Sequence, residues 1–129
     1  METQKVRETA FKILYEMEIR ECSPEDIIAE EPLGEKAKSF INRITTCVTS
    51  KSEEYNTIIS ENLKGWKLER VSKLSISAIK LALAEIQTNE KITPPIAISE
   101  AIKLISKYEG EEAASFVNGV LGEFMRSSK

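Results

Sequence analysis

Apolar residues recur three and four positions apart along most of the chain, the spacing that puts them on one face of a helix. No segment shows a convincing strand pattern. The first predicted helix runs from about residue 3 to 20. Val6, Ala10, Ile13, Leu14 and Met17 make its apolar stripe, with Phe11 and Tyr15 four apart on a neighbouring face. Ser23-Pro24-Glu25-Asp26 is a helix start: a capping serine, a proline at the first helical position, and acids at the positive end. The short helix it opens, about 24 to 30, stops before Pro32-Leu33-Gly34. A third helix, about 35 to 51, places Ala37, Phe40, Ile41, Ile44 and Val48 on one face. A fourth, about 53 to 63, carries Tyr55, Ile58, Ile59 and Leu63 and ends before Gly65-Trp66. The boundary at Lys51-Ser52 is weak, and the pair also reads as one bent helix.

The fifth helix, about 71 to 88, is the most apolar: Leu74, Ile76, Ala78, Ile79, Leu81, Ala82, Leu83, Ala84 and Ile86 cover most of its sides. Such a helix belongs at the centre of a bundle. Its Ser75 and Ser77 are expected to bond back to the backbone or to mark a frayed start. Thr93-Pro94-Pro95 opens a sixth helix, to about Tyr108, with Ile98, Ala101, Ile102 and Ile105 inward. After Gly110 a seventh runs from about 111 to 125, its stripe being Ala113, Val117, Val120, Leu121 and Phe124. Short connections make sequence neighbours pack together. The expected fold is all-α, a compact bundle of about seven helices in a single domain over residues 1–129.

Composition narrows the function. The 129 residues are 41% apolar and 30% charged, which suits a globular domain with a sizeable core. No run approaches the roughly 20 apolar residues of a membrane span, and the N-terminus reads as neither signal nor transit peptide, so a cytoplasmic protein is expected. The two cysteines, Cys22 and Cys47, form no CxxC pair and there is no histidine. That excludes serine–histidine and cysteine–histidine nucleophiles and the usual zinc sites, and no cofactor is implied. No constellation for carboxylate or lysine catalysis is visible, so a non-enzyme is expected. The net charge of −3 argues against nucleic-acid binding by bulk electrostatics. An RNA site would be a local patch, or one completed by a basic partner.

Phe116-Val117-Asn118-Gly119-Val120-Leu121 is unusual because Asn-Gly, normally a hairpin signal, lies inside a strong helical pattern. The hexapeptide resembles the closing-helix motif of the NusB family. Pro95-Ile96-Ala97-Ile98-Ser99-Glu100-Ala101-Ile102, Trp66-Lys67-Leu68-Glu69-Arg70, Ile79-Lys80-Leu81-Ala82-Leu83-Ala84-Glu85, Arg7-Glu8-Thr9-Ala10 and Leu14-Tyr15 resemble other family segments in the same order. The family's pattern differs at Thr3 and Gln4, where arginines are common, and at Ser99, Lys80, Ala84, Gly110 and Ser115. The resemblance implies two packed helical sub-bundles and a transcription antitermination factor. Its implied partners are single-stranded boxA-like RNA of ribosomal RNA transcripts and ribosomal protein NusE, within an antitermination complex with RNA polymerase. Two other readings stay open: a protein-interaction module that no longer binds RNA, and the isolated RNA-binding domain of an rRNA cytosine methyltransferase. Apolar helix faces also leave a homodimer possible.

The candidate RNA-binding residues are Lys5, Arg7, Lys12, Glu112, Phe116 and Asn118. Lys5, Arg7 and Lys12 are either phosphate contacts or a solvated face interleaved with Glu2, Glu8 and Glu16. Phe116 lies off the core stripe, where an aromatic beside a glycine makes a stacking platform, unless it packs under a neighbour. Asn118 can bond a base edge or the backbone. Gly119 is expected to serve close helix packing. Glu112 stands where the family meets RNA, but a carboxylate there also suits the positive end of a helix. Lys64, Lys67, Arg70, Lys73 and Lys80 form a positive stretch that is either a binding surface or simply solvated. Tyr15 is the candidate for the NusE interface, with core packing as its other reading, and Trp66 is expected to anchor the two halves.

Overall fold

The computed structural model describes residues 4–20, 24–29, 33–63, 70–88 and 92–127. Its elements are α1 (Gln4–Arg20), α2 (Pro24–Ala29), α3 (Glu35–Ser50), α4 (Ser52–Glu61), α5 (Lys73–Thr88), α6 (Pro94–Glu109) and α7 (Glu111–Ser127). Each begins and ends within about two residues of the apolar pattern, and among the described residues there is no strand. The Ser23 cap, Pro32, Cys22, Lys64, Lys67 and Trp66 fall outside the described residues.

The weak boundary between α3 and α4 is a single residue. The Lys51 N–H donates to Cys47 O at 3.0 Å, and the Lys51 carbonyl accepts from Tyr55 N at 2.9 Å, so each helix end is satisfied as the axis turns. Tyr55 locks this corner. Its ring is fully buried, its hydroxyl donates to Gln87 Oε1 at 2.6 Å, and Cys47 Sγ lies 3.3 Å from the same hydroxyl. Lys51 Nζ reaches Gln87 Oε1 at 3.0 Å, which ties the corner to the end of α5. Burial, then the neighbouring Cys47, pushes the Tyr55 phenol far above its ordinary range.

Helix α5 is central, as its composition requires: every residue from Ser75 to Glu85 is buried. It bears against α1, α3 and α4 on one side and α6 and α7 on the other, so the two sub-bundles share it. Ser77 Oγ donates back to Lys73 O at 2.7 Å. Phe11, Phe40, Ile41, Ile44, Ile79, Leu83, Leu104 and Val117 are fully enclosed in one continuous core. Each such side chain contributes about 1.5–3 kcal/mol by leaving water. Among the described residues no helix is long and apolar enough to cross a membrane.

The last two helices meet at Gly110, whose φ of 94° and ψ of −173° are open to glycine and strained for any other residue. Its N–H donates to Ser106 O at 2.9 Å and its carbonyl accepts from Ala114 N at 3.1 Å, so one residue ends α6 and begins α7. This corner sets the angle at which the FVNGVL segment is displayed.

Candidate nucleic-acid interface

The structure separates the candidates of α1. Arg7 is 3% exposed, and its Nε donates to both carboxylate oxygens of Glu85, at 2.8 and 3.1 Å. It lies on the buried row Arg7, Ala10, Phe11, Leu14, spaced three, four and seven apart, so Phe11 joins the core rather than a neighbouring face. Burial pushes the Glu85 carboxyl above its ordinary range, and the Arg7 guanidinium opposes that rise. A phosphate cannot reach Arg7 without displacing this pair, so the reading of Arg7 as a surface contact is corrected to a framework role. Lys80 is also inside. It is 2% exposed and bonded to Glu18 Oε1 at 2.6 Å and Ser52 Oγ at 3.3 Å, so it leaves the positive stretch.

Lys5 and Lys12 remain exposed, seven residues apart and so on one face, with Glu8 between them. Glu8 Oε2 accepts from Lys107 Nζ at 2.8 Å and from the Tyr108 hydroxyl, docking this face on the end of α6. Those two bonds hold the Glu8 carboxyl below its ordinary range. Tyr108 leans on Phe11 with ring centroids 5.2 Å apart, and Lys107 Nζ lies 5.7 Å from the Tyr108 ring centre. The linkage across about a hundred residues was invisible in the pattern, since Tyr108 reads there only as the end of a helix.

One residue further on, Glu109 enters a groove of about 320 Å³ between the start of α5 and the α6–α7 corner, with Glu112 and Phe116 on its far wall. On the other side Phe116 also walls a second groove of about 260 Å³ with Asn62, Gly119 and Arg126. Phe116 is half-buried: its ring packs on the core at one edge and is open at the other. Glu112, Phe116, Gly119 and Glu123 follow one another along one face of α7, and Glu112 is exposed. Gly119 is exposed, and a Cβ there would meet nothing within 4 Å, so its expected packing role is corrected to an open patch beside the ring. Asn118 is exposed but lies about 200° around the helix from Phe116 and does not share its face. Tyr15 is half-buried on α1.

The arrangement offers a partly open ring between two grooves and bare backbone at Gly119, with exposed cations at Lys5 and Lys12 on the face of α1 that Glu8 docks on the end of α6 and at Lys107 there. An open ring is the chemistry of a stacking platform, and exposed lysines that of phosphate contacts. A family model described as the NusB family matches residues 4–126. The chain belongs to the NusB family. The transcription antitermination protein NusB of Acetivibrio thermocellus is 36% identical over 124 residues, covering 93% of this chain and 86% of the relative. That of Clostridium novyi is 33% identical, covering 98% of this chain and all of the relative. Among solved structures, NusB of T. maritima superposes with a TM-score of 0.87 at 29% identity, covering 98% of this chain and 93% of the other. A chain from a crystal structure of antitermination factors NusB and NusE in complex with dsRNA superposes with a TM-score of 0.83 at 25% identity, covering 96% of each.

Proposed function

We propose that this chain is a transcription antitermination factor that acts as a non-catalytic, cytoplasmic adaptor. One face holds single-stranded boxA-type RNA of ribosomal RNA transcripts and a second, which includes Tyr15, holds ribosomal protein NusE, within a complex that contains RNA polymerase. The observation that carries the RNA face is Phe116, an open ring between two grooves beside the bare backbone of Gly119. A base stacks on the ring, Lys5 and Lys12 neutralise phosphates, and Glu112 meets polar groups beside the ring, while Asn118, on another face of α7, meets RNA only away from the stacked base. Arg7 acts at one remove, by holding α1 against α5 through Glu85. The family's antitermination proteins and the NusB–NusE–RNA complex of a relative support this reading. A basic partner also suits a chain of net charge −3.

The test is fluorescence anisotropy of labelled boxA-type single-stranded RNA, titrated with the protein alone and with NusE, against duplex RNA as competitor. Salt-sensitive binding strengthened by NusE, and weakened roughly tenfold by Phe116→Ala, is expected. Unchanged affinity in Phe116→Ala, or preference for the duplex, would overturn the assignment. The burial of Arg7 favours one second reading, a protein-only module, which predicts NusE capture with no RNA binding at all. Sedimentation of the free protein decides whether a homodimer forms.

A further inference from the structure

We infer that the groove between the start of α5 and the α6–α7 corner receives one unpaired nucleobase and selects an amine-bearing base over uracil. This rests on the RNA-binding reading above and adds to it the chemistry of a single base. Four features of the groove argue for it together.

First, Phe116 forms a wall of this groove as well as of the one beyond, so a base lodged here is next in line to a base stacked on the far side of the ring. Second, the groove has apolar lining at Val71 and Ala113, which suits the face of a base. Third, its polar groups are acceptors held in place. Glu109 Oε1 takes the hydroxyl of Ser72 at 2.5 Å and that of Ser75 at 3.2 Å. Ser75 is 3% exposed, and Ser72 Oγ accepts from the Ser75 N–H at 3.0 Å, so the two hydroxyls are anchored to the first turn of α5 and in turn fix the carboxylate. Both bonds fall on Oε1, and among the described residues none falls on Oε2. Fourth, Glu112 lines the same groove.

A carboxylate accepts hydrogen bonds and donates none. Two of them repel a phosphate, so a nucleotide enters base first, with its phosphate toward Arg70, exposed at the rim. The 4-position separates the two pyrimidines: cytosine presents an N–H donor there and uracil an acceptor. Glu109 Oε2 therefore rewards cytosine and opposes uracil, and the two serines are positioning residues for it.

The experiment compares oligo(C) with oligo(U) of equal length, bound to the protein with NusE present, for wild type, Glu109→Ala, Ser72→Ala/Ser75→Ala and Phe116→Ala. Wild type is expected to bind oligo(C) about tenfold tighter than oligo(U). Glu109→Ala brings the ratio to within about twofold, the serine pair lowers it partway, and Phe116→Ala weakens both oligonucleotides while a preference survives. Glu109 is exposed, so its variant is expected to fold, and a thermal melt checks this. Equal binding of the two oligonucleotides by wild type, or a ratio that survives Glu109→Ala, overturns the inference and leaves the RNA reading standing. Failure of both oligonucleotides and of boxA-type RNA to bind overturns both.

Discussion

Two seams of this molecule use the same residue types for opposite purposes. Between α1 and α5, Arg7 meets Glu85 and Lys80 meets Glu18, with three of the four side chains no more than 4% exposed. At the α6–α7 corner, Lys107 meets Glu8 with the lysine 64% exposed, and Glu112 and Asn118 stand in solvent. The first seam is framework: its cations are buried and paired, and Arg7 with Glu85 lies wholly in a low-dielectric interior. The second is surface: its charges are weakly coupled to stability and free to meet something else. A cation's position along a helix says little about its role until its partner is known.

The sharpest way to break this contrast is to orphan a buried charge. Arg7→Ala leaves Glu85 uncompensated and is expected to cost about 3–5 kcal/mol, read from urea unfolding. Replacing both, as Arg7→Met with Glu85→Leu, is expected to restore most of that stability and to keep RNA affinity. Loss of RNA binding in a double variant of normal stability would make Arg7 a direct contact after all. Phe116→Ala belongs to the other seam: it is expected to weaken RNA by about 1–3 kcal/mol, with a smaller effect on the melting temperature, since the ring is only half-buried.

Gly119→Ala sharpens the comparison from the opposite direction. With nothing within 4 Å of the added Cβ, it is expected to stabilise the protein by about 0.5–1 kcal/mol in a thermal melt, where a packed glycine would destabilise it. Smallest are the titrations, which differ in sign between the seams. Glu8 has a lowered pKa, so its contribution is complete above the ordinary 4.5 and is lost as pH falls through the lowered value. Glu85 has a raised pKa, so its contribution is complete below 4.5 and declines as pH rises through the raised value. Urea unfolding at acid and neutral pH should therefore show the stabilising effect of Glu8 over Glu8→Gln shrinking in acid. The Glu85→Gln variant should gain on wild type as pH rises.

The helices were legible in the chain because their apolar residues repeat at 3.6 and their ends carry proline, glycine and serine punctuation. The central place of α5 was legible for the same reason. Partners were not legible, because Arg7 finds Glu85 78 residues away and Tyr108 finds Glu8 across 100. The sequence does carry one clue to the pairs: Lys80 and Glu85 lie inside the most apolar helix, where a charge persists only if something pairs with it. Arg7, three, four and seven residues before Ala10, Phe11 and Leu14, carried the same message. Of the candidate site, Phe116 and Glu112 come together in one groove, whereas Asn118 turns to the other edge of its helix. Gly119 in a helix suggests close packing, but the face of α7 that carries it is open while Val117, Val120 and Leu121 on the opposite side fill the core.

Helix α5, shared by both sub-bundles and buried from Ser75 to Glu85, has a kinetic meaning as well. The central amides of this helix are covered from both halves, so uncovering them means lifting off helices on each side. Their hydrogen exchange should therefore report the opening of the whole molecule, while the amides of α2 and the end of α7 exchange through small fluctuations. Occupancy of the α6–α7 corner would then be visible at a distance, as slower exchange in a helix buried beneath it.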